Sequence, residues 1–347
     1  MSDSLVRDSF REQAEACRRL GSPLNALLCA TLAERLDRSS AFGRRVLDWD
    51  GASLRDDVLA LRCCGAFHAQ VRAGAAPGLQ ALYPPNDLPE PEGLWGALAE
   101  TIDAGDEHLT RFLDRPPQTN EVARSAVLLG GFLHIARATG LPLAIYEIGA
   151  SAGLNLLADR YAYDLGARTW GDPSAAVKIA CQWSGNLPPL DAALRVAARA
   201  GCDANPLDPS RRDDRERLLA YIWPDQPVRL ARTQAALDLA VAAGPRVDAA
   251  DAGAWVARKL GEPEEPGRVR VLFHSIVWQY LLPPTRDKVQ RTIKACTAAA
   301  TAGRPFAWLR MEPKDRESAA LHLTIWPSGA MRQLANVDYH GRWAQWL

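Results

Sequence analysis

The chain has 347 residues, of which 48% are apolar and 24% charged, a balance that excludes a disordered polymer and supports a packed core. Its 41 basic and 41 acidic side chains cancel, which removes the broad attraction expected of a nucleic-acid or anionic-membrane binder. The length exceeds that of most single domains and predicts two units.

Seven cysteines, at positions 17, 29, 63, 64, 181, 202 and 296, form no Cys-x-x-Cys pair and have no histidines at zinc-site spacing, so no metal is expected. They read as reduced thiols, with Cys63 and Cys64 on a buried helix face. The polar start lacks the apolar stretch of a signal peptide, and no apolar run approaches the roughly 20 residues of a membrane span. A cytoplasmic protein without a membrane partner is expected.

From Ser4 to about Ala138 the apolar residues recur at helical spacing, as in Phe10, Ala14 and Cys17. Helices are predicted before and after Gly21-Ser22-Pro23, then over 54–73, 94–113 and 120–138, with a proline-rich loop at 83–93. Residues 1–140 therefore read as an α-helical lid domain.

The pattern changes at Gly140-Leu141-Pro142. An apolar strand over 143–148, a glycine turn and a helix over 154–161 make the first half of a βαβ unit. Further strands are predicted at 195–202, 246–248, 268–274 and 305–311, separated by helices over 226–243, 252–260 and 285–302. Alternating Val177, Ile179 and Cys181 mark an inserted strand or hairpin within about 163–183. Runs at 321–326 and 331–337 flank Pro327-Ser-Gly-Ala330 as a closing hairpin. Residues 141–347 are thus expected to form an α/β domain with a doubly wound, mostly parallel, Rossmann-like sheet and a C-terminal antiparallel hairpin. Such a hairpin separates methyltransferase sheets from those of most dehydrogenases.

The turn reads Glu147-Ile-Gly-Ala-Ser-Ala-Gly153. Gly149 lets the chain leave the strand sharply, and Gly153 lets the next helix approach the sheet. Peptide N–H groups there are expected to face a ligand over the strand edge. Glu147 repels the pyrophosphate of a dinucleotide and suits an ammonium group. S-adenosylmethionine, which carries an ammonium and a sulfonium, is therefore the expected cofactor, held by Glu147, Gly149, Ala150, Ser151, Gly153 and Asn155. The same residues spell the Gly-x-Ser-x-Gly elbow of α/β hydrolases, with Asp248 or Asp251 and His274 or His322 as partners. A hydrolase needs several strands before its elbow, and the preceding sequence is helical.

At the far end of the fourth strand, His274-Ser-Ile-Val-Trp-Gln-Tyr280 offers His274 as a base and Trp278 and Tyr280 as an aromatic wall, with Ser275 on the cofactor side. Glu312 ends the fifth strand on the edge where such sheets bind ligands. Its plainer reading is a salt bridge to Arg310 or Lys314. In Gln118-Thr-Asn-Glu121, Thr119 or Asn120 reads as a helix N-cap. Alternatively Asn120, Glu121 and Arg124 face the substrate.

These motifs, together with Gly201-Cys-Asp-Ala-Asn-Pro-Leu-Asp208 and Ile222-Trp-Pro-Asp225, resemble the bacterial domain of unknown function 2332 family, which looks like a branch of the class I methyltransferase superfamily. The resemblance covers nearly the whole chain. It implies the fold and S-adenosylmethionine as cofactor, and no substrate. In the wider superfamily an acid ending the second strand binds the ribose, a role matched best by Asp203 and next by Asp208; Asp203 also reads as an Asx-turn. An acid after the third strand holds the adenine, and here Asp248 and Asp251 compete. Asp251 alternatively caps a helix.

The expected function is methyl transfer from S-adenosylmethionine to a small-molecule acceptor, with His274, Tyr280 and Glu312 at the reacting end. An inactive cofactor-binding protein and a serine hydrolase are the alternatives. Asn120, Glu121, His274, Tyr280 and Glu312 are expected around one pocket beneath the lid.

Overall fold

A computed structural model describes residues 3–51, 53–263 and 266–347. Helices α1 (Asp3–Arg19), α2 (Pro23–Arg35), α3 (Ala41–Leu47), α4 (Leu54–Asp57), α5 (Leu59–Arg72), α6 (Pro77–Gln80), α7 (Pro91–Phe112) and α8 (Arg124–Thr139) come first. Strand β1 (Leu143–Ile148) and a 3₁₀ helix (Leu154–Arg160) precede β2 (Ala162–Asp164), β3 (Thr169–Trp170), β4 (Lys178–Ala180), β5 (Gln182–Gly185) and β6 (Val196–Asp203). Then follow α9 (Arg212–Ala220), α10 (Pro227–Ala243), β7 (Arg246–Ala249), α11 (Ala252–Leu260), β8 (Val269–Ser275) and α12 (Pro283–Ala298). Strands β9 (Phe306–Pro313), β10 (Ala319–Trp326), β11 (Met331–Val337) and β12 (Trp343–Trp346) end the chain.

The chain forms two compact units, Met1–Thr119 with Arg211–Ala231, and Asn120–Ser210 with Arg232–Leu347. In the first, the apolar stripes of α1 and α2 bury Val6, Phe10, Ala14, Leu24, Leu28 and Leu32 in one core with Phe42 and Phe67, whose rings meet edge-on at 5.5 Å. The helix predicted over 54–73 is broken at Val58, which takes a left-handed φ of 46°.

The returning segment belongs to this core because Tyr221 packs where Gly65 has no side chain; a Cβ there would lie 2.6 Å from the Tyr221 ring. Asp225, the end of the Ile222-Trp-Pro-Asp225 motif, accepts hydrogen bonds from Ser22 Oγ (2.7 Å) and Leu24 N (3.0 Å), tying down the corner that starts α2.

Helix α8, which helical spacing groups with the preceding helices, belongs to the second unit. It is buried along most of its length. A Cβ on Gly131 would lie 2.4 Å from Leu309 Cδ1, and one on Gly130 2.0 Å from Trp346, so the glycines let α8 lie flush against the strands. Helical period identifies an element and says nothing about what covers it.

The nine-stranded sheet has the order β5-β12-β11-β10-β9-β8-β1-β6-β7. Strands β7, β6, β1, β8 and β9 are mutually parallel, β10 and β11 form the expected antiparallel hairpin, and β12 extends it. The inserted region supplies β5, parallel to β12, and a separate sheet ordered β3-β2-β4. From β1 the chain steps outward to β6 and β7, then resumes on β1's other side at β8. The strand order therefore reverses between β1 and β8, and ligands of such sheets bind outside the carboxyl ends at that switch.

Pleating decides which side chains share a face. Ile148, His274 and Arg310 stand level across β1, β8 and β9, and Ile148 packs with Trp255 and Val256 of α11 and Val289 and Ile293 of α12. Glu147 stands level with Phe273, whose ring meets Phe132 of α8 edge-on at 5.2 Å. Glu147 and His274 consequently point to opposite faces. Among the described residues no helix is long and apolar enough to cross a membrane.

Candidate functional site

After β1 the chain reverses through three left-handed residues, Gly149 (φ 69°), Ser151 (φ 51°) and Gly153 (φ 75°). A Cβ on Gly149 would lie 2.5 Å from Val277 Cγ2, and one on Gly153 3.0 Å from Val247 Cγ2, so both glycines serve turn geometry and close packing. Ser151 holds its conformation because its amide donates to Asp203 Oδ2 at 2.9 Å.

The peptide groups of this turn are largely engaged within the protein, contrary to the expectation that they face a ligand. Gly149 N and Ala150 N both donate to Cys202 O, and Gly153 N donates to Ala150 O; Leu154 N donates to Asn120 Oδ1. The predicted helix after the turn is a seven-residue 3₁₀ helix, too short for much macrodipole. The turn therefore lacks the converging free donors of a phosphate nest.

What it offers is acid. The Glu147 side chain is buried, 1% exposed, and its Oε2 has no hydrogen-bond partner among the described residues. Burial pushes its pKa well above the carboxylate range. A side-chain hydrogen bond with Asn155 opposes that shift, nearby Asp203 adds to it, and Arg124 also opposes it. Ser125 Oγ donates to Asn155 Oδ1 at 2.7 Å and orients that amide. Burial thus favours the neutral form of the Glu147 carboxyl, and a cation placed against it would favour its ionised form.

The acids at the other strand ends have structural duties. Asp203 accepts Ser151 N and, in an Asx-turn, Asn205 N at 2.9 Å. Asp208 forms its own Asx-turn with Ser210 N at 2.8 Å. Asp248 accepts from Arg246 Nε (2.7 Å), Trp255 Nε1 (2.8 Å) and Arg258 Nη2 (2.8 Å), and Asp251 caps α11 through Ala254 N (2.8 Å) while accepting from Thr285 Oγ1 (2.7 Å).

At the end of β8, His274 Nδ1 lies 2.6 Å from Glu312 Oε1, and the same oxygen accepts Val277 N and Trp278 N at 3.2 and 3.3 Å. Glu312 forms neither salt bridge anticipated for it. Arg310 lies over the Trp308 ring at 4.2 Å, and Lys314 Nζ bonds Asn336 Oδ1. Trp278 stacks on His274 with ring centroids 5.2 Å apart and planes 17° apart. Between them in sequence, Ile276 has φ 53°, a strained state for a β-branched residue that costs about 1–3 kcal/mol. Glu312 holds the strained segment in place.

The family model described as "Uncharacterized protein conserved in bacteria (DUF2332)" matches residues 7–346. The chain belongs to the DUF2332 family. No curated protein matches it.

In this DUF2332 chain the predicted site residues fall into two groups. Asn120, Glu147, Gly149, Ala150, Ser151, Gly153, Asn155 and Asp203 gather around the turn. There Asn120 caps the 3₁₀ helix instead of α8, whose N-cap is Ala123. His274, Trp278 and Glu312 gather on the opposite face, and Val277 over Gly149 joins the groups. Glu121 is buried, with Oε1 accepting from Ala123 N and Arg232 Nη2, both at 3.1 Å. Arg124 donates to Tyr339 O (2.9 Å) and Ser275 O (3.4 Å). Tyr280 is 69% exposed.

Residues 147 and 274 have opposite pleat parity in paired strands, so the turn acid and His274 leave the sheet on opposite faces. The hydrolase triad is not formed. Ser151 Oγ has no hydrogen-bond partner, histidine included, among the described residues. Sequence reasoning missed Ser125, Val277 and Arg232, which sit within ordinary helical or apolar runs and carry no local signal.

Proposed function

We propose that this protein binds S-adenosylmethionine at the Glu147–Gly153 turn and transfers its methyl group to a small-molecule acceptor. The observation that carries the reading is the Oε2 of buried Glu147, which has no hydrogen-bond partner among the described residues, beside Asp203 and beneath a turn whose amides are largely spent. Such a site favours a cation and disfavours a phosphate. The topological switch between β1 and β8 supports it, since that is where a doubly wound sheet receives a nucleoside ligand.

The residues fit the cofactor in the following roles. Glu147 takes the ammonium group, and its ionisation on binding repays the burial of the carboxyl. Asp203 adds negative charge and holds Ser151 in place. Ser151 Oγ, buried and without a hydrogen-bond partner among the described residues, offers a neutral hydroxyl. S-adenosylmethionine supplies an electrophilic methyl carbon, and in-line displacement at carbon demands mainly alignment. His274 and Glu312 act as positioning residues. His274 is wholly buried and stacked under Trp278, while Glu312 fixes Val277 against Gly149.

That burial also favours a second reading, a cofactor-binding protein without transferase activity, because His274 is then no base for the acceptor. Calorimetry with S-adenosylmethionine and with 5′-methylthioadenosine, which lacks the amino-acid part, tests the shared premise. S-adenosylmethionine should bind more tightly, and Glu147→Gln should weaken it by about tenfold, the size of one charge-assisted hydrogen bond, while leaving methylthioadenosine unchanged. Absence of binding by either compound to the folded protein would reject both readings.

A further inference from the structure

The helical unit contains a cleft of about 460 Å³ to which the reading above gives no role. It lies between α5, α7 and α9, with apolar surface from Ala69, Ala73 and Phe112 and charge from Arg72, Arg115, Arg212 and Arg217. These cations differ in how they are satisfied.

Arg72 pairs with Glu216 at 2.8 Å. Among the described residues Arg217 has no carboxylate partner. Its Nη2 is spent on Arg115 O (2.9 Å), Tyr221 OH (3.3 Å) and Phe112 O (3.4 Å), and its guanidinium carbon lies 4.6 Å from the Phe112 ring centroid. Its Nε is buried and has no hydrogen-bond partner among the described residues. Burial pushes the Arg217 pKa down; Tyr221 opposes that shift, the positive charges of Arg115 and Arg62 add to it, and Asp114 also opposes it. Arg115 and Arg212 enter no ion pair among the described residues, and both are exposed.

Three carboxylates also border the cleft, Asp213, Asp214 and Glu216. Glu216 is held by Arg72, and Asp214 lies 3.8 Å from Arg211. Asp213 remains against three guanidiniums that form no ion pair among the described residues. A half-buried guanidinium without an anion is costly, and an oxyanion is the group whose acceptors match its fork of N–H donors.

We propose that this cleft binds a small organic anion, an apolar body bearing one phosphate or carboxylate group, with the oxyanion on the exposed Arg115 and Arg212, the Arg217 guanidinium adding positive charge, and the apolar body against Phe112 and Ala73. The site is independent of the cofactor turn and goes beyond the methyltransferase reading.

Phenyl phosphate and benzoate are suitable probes, with phenol as the uncharged control, titrated into the full-length protein by calorimetry at low ionic strength. Both anions should bind and phenol should not, and the tighter of the two identifies the head group. Arg115→Gln and Arg212→Gln, at exposed positions where melting temperature should hold, are each expected to weaken binding by about tenfold. Added salt should weaken it further. The proposal is overturned if neither anion binds, if phenol binds equally well, or if the Arg115→Gln/Arg212→Gln double variant keeps the wild-type affinity.

Discussion

Asn120 Oδ1 accepts the backbone N–H of Leu154 at 2.9 Å, so a side chain 34 residues upstream caps the 3₁₀ helix behind the glycine turn. Both groups are buried, and removing the acceptor strands a peptide donor. Asn120→Ala should cost about 1–2 kcal/mol in urea unfolding, and Asn120→Asp, which keeps an acceptor, should cost less than Asn120→Ala. Equal losses for the two variants would mean that packing, not the cap, is what matters at this position.

Glu147 predicts a stability profile as well as a binding defect. Its folded pKa is raised above the ordinary 4.5, so the folded chain retains a proton that the unfolded chain releases. Its contribution is greatest below pH 4.5 and is lost as pH rises toward the folded pKa. Glu147→Gln stays neutral throughout. The variant's melting temperature should therefore gain on the wild type as pH rises above 4.5, while its affinity for S-adenosylmethionine falls. Parallel curves for the two proteins would show that the carboxyl is not held protonated.

At Gly149 a methyl group meets two penalties, a φ of 69° and a contact 2.5 Å from Val277 Cγ2. Gly149→Ala should destabilise the protein by about 2–4 kcal/mol, combining left-handed strain with overpacking. Val277→Ala in the same chain should recover the steric part and leave the conformational part. A double-mutant cycle measures that coupling, and a coupling near zero would place Val277 away from the turn.

His68 gives the helical unit an acid limit. It is buried, its Nδ1 bonds Ala220 O at 3.1 Å, and burial, with Arg72 nearby, pushes its pKa down from 6.5 to about 4. The unfolded chain then binds a proton that the folded chain refuses, so stability should fall as pH drops from about 6.5 to about 4, by about 3 kcal/mol in all. His68→Gln should flatten that slope. An unchanged slope in the variant would assign acid sensitivity to other groups.

Much of the architecture was legible along the chain. Period-2 and period-3.6 apolar patterns located β1, β6, β8, β9 and the closing hairpin to within a few residues, because each pattern records which face a single element buries. Glycines spaced around Glu147 marked the turn, since few other residues adopt its backbone angles. Asp251 as a helix cap and Asp203 in an Asx-turn were readable as alternatives for the same reason: both are local hydrogen bonds.

What escaped was everything that depends on partners distant in sequence. Helix α8 looks like its predecessors until its glycines are seen to admit Leu309 and Trp346. The segment 211–231 returns to the helical core through Tyr221 and Asp225, and nothing in its own spacing says so. Glu147 and His274 each sit at a strand end, yet register sets them on opposite faces, which no one-dimensional pattern contains. Local backbone preference is written residue by residue, whereas pleat parity between paired strands and the sharing of buried donors and acceptors exist only once the strands are laid side by side.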